Sequence, residues 1–166
     1  AGKDKGNADK FAKPLEQHDA DTQAMCDFIQ QQTFCTGKIG VMGVCIGGHL
    51  AFRATLNPQI GGAFCLYPTD IHSNTLPCET GNDSLGRSKD ITCPLVLVFG
   101  KQDPHVSAEG RVLIQQTLSQ NKCDFSWHEV NAQHAFMRDE GERYDAALAL
   151  QMYKMAIDFF HTTLRL

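Results

Sequence analysis

The sequence predicts an α/β fold: a parallel sheet of about four strands with helices on both faces. Three observations carry that expectation. Apolar runs of strand length recur at 39–44, 62–67, 94–99 and 124–130. Longer segments with helical spacing lie between and around them. One run, Pro94-Leu-Val-Leu-Val-Phe99, is almost wholly apolar, as befits a strand buried on both faces. Strands that alternate with helices form parallel sheets, because each crossover helix brings the chain back to start the next strand in the same direction.

The elements follow in order. Residues 1–13 are polar and small and read as a loosely attached segment, leaving one domain over 14–166. A helix is expected from Pro14 to Gln32, where Thr22, Met25, Cys26 and Ile29 share helical spacing and Pro14 suits the first turn. Gly37 ends it, and Ile39–Val44 is the first strand. A helix over His49–Leu56 closes at Asn57-Pro58. Gly62–Tyr67 is the second strand, stopped by Pro68. Residues 68–92 are loop-rich, with Pro77, Gly81 and Gly86; so long a loop in a compact domain is often functional. The third strand is the run at Pro94–Phe99, and Ala108–Gln120 is a helix. The fourth strand, Asp124–Val130, alternates Phe125 and Trp127 with Ser126 and His128. The last helix, Glu142–Thr162, sets Tyr144, Leu148, Met152, Met155 and Phe159 on one face.

Composition narrows the function classes. The 166 residues are 42% hydrophobic and 20% charged, with a net charge of −4, which suits a soluble globular chain. The lack of a basic run argues against nucleic-acid binding, and the lack of a long apolar stretch against a membrane span. The first residues, AGKDKGNADKFAK, have no apolar core of a secretory signal. Seven cysteines, an odd number with scattered spacing and no C-x-x-C, make neither a disulfide framework nor a zinc site. The expectation is a reduced, cytoplasmic protein with buried thiols and no metal or cofactor.

The chemistry concentrates at Lys38–Ala51, KIGVMGVCIGGHLA. Gly43-Val-Cys45-Ile-Gly47 has the spacing of the nucleophile elbow Gly-x-Ser-x-Gly, with cysteine in the serine place. The turn is sharp, so its neighbours must be small. A helix starting at the thiol favours thiolate, and the Ile46 N–H is placed as an oxyanion donor. Parallel sheets gather functional residues at the carboxyl ends of their strands. Asp103 follows the third strand and His134 the fourth, giving the order nucleophile, acid, histidine. His134 can take the thiol proton, and Asp103 can fix the imidazole tautomer. Singly, an Asp before Pro and a His in a loop are more often structural; their ordered placement reverses that balance. Asp70, Asp139 and Glu140 fit the acid position less well, and His105 reads as a loop residue. Arg138, four residues after His134, could bind a substrate carboxylate, although alone it would read as a surface arginine.

These segments resemble the dienelactone hydrolase (carboxymethylenebutenolidase) family of the α/β-hydrolase fold. The matches are GVCIGGHLAF, LVFGKQDPHV and NAQHAFMRDE. The resemblance implies Cys45 as nucleophile, His134 as base, Asp103 as its orienting acid and Arg138, in His-x-Phe-x-Arg, as a carboxylate-binding residue. It implies a hydrolase for small carboxylate-bearing esters or lactones, working through a thioester acyl-enzyme. Family members carry further strands before the elbow strand, with a glutamate that pairs with the resting thiol, a second oxyanion donor and a second arginine; residues 1–37 offer no counterpart. The elbow strand is therefore expected at an open edge, covered by more chain, a partner chain or a second copy. The alternative is a catalytically incompetent interaction or structural subunit that keeps the hydrolase fold. A thiol redox role is weak, because no resolving cysteine lies nearby in sequence.

Overall fold

The computed structural model describes residues 2–77 and 83–164; Cys78 and Gly81 of the long loop lie outside them. The elements among the described residues are α1 (Gly2–Ala12), α2 (Leu15–Gln30), β1 (Ile39–Val44), α3 (Ile46–Ala54), β2 (Ile60–Leu66), a 3-10 helix (Gly86–Asp90), β3 (Leu95–Gly100), α4 (Ala108–Gln120), β4 (Phe125–Val130) and α5 (Ala146–Leu164). The four strands are parallel in the order β1-β2-β3-β4.

Period-two alternation along the strands sorts the side chains into two cores. On one face Ala63, Cys65, Leu95, Leu97 and Phe99 pack with Ala51 and Phe52 of α3, Ile114 and Leu118 of α4, and Cys26 of α2. On the other, Phe64, Leu66, Val96 and Val98 pack with Met152 and Ala156 of α5. All six residues of β3 are buried, as its apolar run predicts. The edge strand β4 exposes Ser126 and Glu129. At the other edge, β1 exposes Met42 (41%) and Val44 (44%), so the elbow strand does lie at an open edge.

Several boundaries differ from the sequence expectation. β2 starts at Ile60 rather than Gly62, and α3 starts at Ile46, directly behind the thiol, rather than at His49. α5 starts at Ala146 because Asp145 caps it: its Oδ1 accepts the Leu148 N–H at 2.9 Å. Tyr144 therefore lies outside the helix and is exposed, while Leu148, Met152, Met155 and Phe159 face the sheet. The largest difference is at the start. The segment read as loosely attached is helix α1, and its Lys10 pairs with Asp70 at 2.6 Å. Its polar surface and two glycines hide that helix from a pattern search. No helix among the described residues is long and apolar enough to cross a membrane.

Candidate active site

Cys45 joins β1 to α3 as the residue capping the helix, at φ 56° and ψ −125°. Positive φ is unfavourable for a side chain bearing Cβ, and such strain persists only where the surroundings over-determine it. Here they do. The Cys45 N–H donates to the Leu66 carbonyl at 3.0 Å, and its own carbonyl accepts N–H groups from Gly48 (3.0 Å), His49 (3.3 Å) and Thr69 (3.4 Å). The need for small neighbours falls on particular glycines. A Cβ at Gly43 would run into the Gly47 carbonyl, and one at Gly48 would sit 2.8 Å from the Leu66 oxygen. A Cβ at Gly47 would meet nothing within 4 Å, so the second glycine of the motif is not the one the packing requires.

Asp103 and His134 meet because the loops after β3 and β4 run together. A Cβ at Gly100 would strike the Ala132 carbonyl. Lys101 N–H donates to the Val130 carbonyl at 2.8 Å and Gln102 N–H to the Ala132 carbonyl at 3.0 Å. His134 Nδ1 and Asp103 Oδ2 are then 2.6 Å apart, with both side chains buried. The other carboxylate oxygen, Oδ1, accepts the His105 N–H at 2.8 Å, which fixes the carboxylate plane.

The electrostatics single out one thiol. Burial pushes the Cys26, Cys65, Cys93 and Cys123 thiols up, Cys93 to about 11. Burial also pushes Cys45 up, but the hydrogen bond to His134 and its charge, the Ile46 N–H and the charge of Lys10 together outweigh it and hold the thiol below its ordinary value. For His134, burial disfavours the imidazolium, yet the hydrogen bonds to Asp103 and Cys45 raise it to about 9. The two groups share one proton equilibrium, and each shift favours the charged form of its own group.

The structure thus joins Cys45, His134 and Asp103, with the Ile46 N–H at the thiol. Arg138 is placed differently. It is exposed and lines a cleft of about 470 Å³ with Gln133, Ala135, Glu140 and Arg143, which Cys45 does not border. Asp139 and Glu140 are exposed, and Asp70 pairs with Lys10. Two neighbours, Tyr67 and Lys10, escaped the sequence analysis. Tyr67, buried at φ 36°, packs edge-on against His134 with ring centroids 5.1 Å apart, and burial pushes its phenol up to about 12. His105 is the loop residue its sequence position predicts, and its ring also packs against His134, at 4.5 Å. Lys10 had no signal in its surroundings. Asp103, His105 and His134 bring ligand atoms within 4.8 Å of one another, a set that could hold a divalent metal, although the Asp103–His134 hydrogen bond already occupies two of them.

A parallel sheet with a strand-to-helix elbow behind its edge strand, and an acid and a histidine on the loops after the third and fourth strands, defines the protein as an α/β-hydrolase-type fold. Residues 5–164 match the dienelactone hydrolase family, and the chain belongs to that family. It is 42% identical over 172 residues to a putative carboxymethylenebutenolidase of Saccharomyces cerevisiae, covering 99% of this chain and 63% of the relative. It is 26% identical over 146 residues to a carboxymethylenebutenolidase of Pseudomonas putida, covering 87% of this chain and 57% of the relative. In fold it is similar to the crystal structure of a putative dienelactone hydrolase from Klebsiella pneumoniae, with a TM-score of 0.76 and 17% identity over 85% of this chain and 59% of that one. The chain therefore spans less than two thirds of the length of the relatives it matches.

Proposed function

We propose that this chain carries the catalytic residues of a hydrolase for small carboxylate-bearing esters or lactones, with Cys45 as nucleophile. One observation carries the reading: His134, held 2.6 Å from the buried Asp103 carboxylate, is the main influence that lowers the Cys45 thiol on the strained elbow, whereas burial shifts the Cys26, Cys65, Cys93 and Cys123 thiols up.

The mechanism follows from those positions. The Cys45 thiolate attacks the carbonyl carbon, and the C–S bond forms as the carbonyl π pair moves to oxygen. The Ile46 N–H donates to that oxyanion. Collapse expels the alkoxide, which takes the proton from the His134 imidazolium, and a thioester remains. His134, now neutral, removes a proton from water as the water attacks the thioester, and the thiolate leaves. Asp103 keeps the imidazole in one tautomer throughout and stabilises the imidazolium. Arg138, which lines the neighbouring cleft, receives a carboxylate of the substrate.

The test is hydrolysis of a 4-nitrophenyl ester and of a small lactone by wild type and Cys45→Ala. Loss of turnover in the variant is expected, and retained turnover sinks the reading. A thiol-directed ester probe separates this from an incompetent subunit: labelling of Cys45 should require His134. The open edge of β1, with Met42 and Val44 exposed, supports a further part of the reading, that more chain or a second copy covers this edge in the working protein. Native mass spectrometry should then find a mass above 18.4 kDa, whereas a stable monomer of that mass removes this part.

A further inference from the structure

The polar helix α1 brings a cation to the loop that is bonded to the elbow. Lys10 Nζ lies 2.6 Å from Asp70 Oδ2, with only 20% of the lysine side chain and 14% of the aspartate exposed. Asp70 sits at φ 63° on the loop after β2. The same Oδ2 accepts the Thr69 hydroxyl at 2.6 Å, and Oδ1 accepts the Thr75 hydroxyl at 3.0 Å. That loop is in turn fastened to the nucleophile, since the Thr69 N–H donates to the Cys45 carbonyl. A half-buried ion pair therefore stands one residue from a backbone bond to the elbow. Lys10 would be an expensive way merely to dock a helix, because a partly buried ammonium gives up hydration that a surface lysine keeps.

We propose that Lys10, clasped by Asp70, is a cationic positioning residue of the Cys45 site, which makes α1 a working wall of that site and favours negatively charged partners at the sulfur. The inference rests on Cys45 being the reactive thiol of the proposed hydrolase. Lys10 acts through the field it adds at Cys45 and His49, which is weaker there than burial and the groups in direct contact, so its effect is modest. The other titratable groups that face Cys45 are His134 and Tyr67, with Asp103 behind His134. Asp70 loses its counter-charge in the neutral Lys10 variants, so the ratio of Cys45 alkylation by iodoacetate to that by iodoacetamide is also read in Lys10→Gln combined with Asp70→Asn. A fall below wild type is expected there, and a return to the wild-type ratio overturns the proposal.

The experiment needs no turnover. Cys45 is alkylated at one pH with neutral iodoacetamide and with anionic iodoacetate, and the peptide bearing Cys45 is followed by mass. In both reactions the thiolate attacks the methylene carbon, the C–S bond forms and iodide leaves. The rate ratio of iodoacetate to iodoacetamide reads the local charge. It should fall about two- to fivefold in Lys10→Gln and in Lys10→Met, the size of a partly exposed charge interaction, and stay at the wild-type value in Lys10→Arg. An unchanged ratio in the folded neutral variants overturns the proposal, and so does an equal fall in Lys10→Arg. Should Lys10→Gln fail to fold, Lys10→Met, with its long apolar stem, gives the same reading. Absence of ester hydrolysis by the wild type would sink the hydrolase reading and leave this ratio interpretable.

Discussion

His49 and His134 are both buried beside the elbow, and their proton affinities are shifted in opposite directions. His49 lies one turn into α3 behind Cys45, is fully buried, and has Nε2 2.8 Å from the Ser84 hydroxyl. Burial, with no carboxylate at hydrogen-bond distance, drives it down to about 4. His134 is buried too, but Asp103 at 2.6 Å takes it up to about 9. Burial is common to both, so the carboxylate sets the sign. A helix interior offers His49 a hydroxyl and the nearby Arg53 guanidinium, whereas converging strand-end loops offer His134 a carboxylate. One histidine is a neutral core residue and the other is poised for charge.

Removing that carboxylate should erase the contrast, with the largest effect. In Asp103→Asn, only Cys45 still opposes burial, so the His134 titration seen by NMR should fall well below about 9, while ester turnover drops about 10²- to 10⁴-fold. The raised affinity of His134 contributes stability below pH 6.5 that is lost as pH rises through 9, so the variant should also lose that slope. A wild-type titration in Asp103→Asn would break the comparison.

The next effect is in acid. His49 takes a proton near 6.5 when unfolded but only near 4 when folded, so stability is intact above pH 6.5 and falls as pH drops from 6.5 to 4. The loss is about 3 kcal/mol, and His49→Gln, which can keep the bond to Ser84, should remove it. Urea midpoints at pH 7 and pH 4.5 measure this, and an unchanged acid slope in the variant would show that His49 is not the group responsible. The smallest effect is expected for His105→Ala. The exposed ring touches His134 but leaves the Asp103 bond intact, so turnover should change by less than about threefold. A larger drop would make His105 a third partner in the contrast.

Much of this site was legible because its chemistry is written into local sequence. The elbow, β1, β3, α4 and the order Cys45, Asp103, His134 each rest on short-range pattern: period, breaker residues and position after a strand. What was hidden comes from tertiary contacts. Tyr67 looks like the last residue of a strand, and only the turn at φ 36° swings it onto His134. Lys10 lies in a polar helix without an apolar stripe, and its partner is a loop acid distant in sequence. The start of α5 was misplaced because Asp145, a cap, was read as part of the helical run. The second glycine of the elbow shows that a motif spacing identifies the turn without saying which glycine the packing needs, since Gly48 carries the constraint expected at Gly47.

The packing of α5 gives the site a place in time. Gly40 of β1 leaves room for Phe160, and Gly61 and Gly62 of β2 for Leu164 and Phe159, so the strand that leads into the thiol is braced by the far end of the described chain. Contacts so distant in sequence form late in folding, after the costly closure of the intervening loop. During synthesis the elbow glycines and the start of α3 emerge long before that brace. The elbow thiol is therefore made early and housed last, and a nascent chain still without α5 leaves one face of its edge strand open to chaperones.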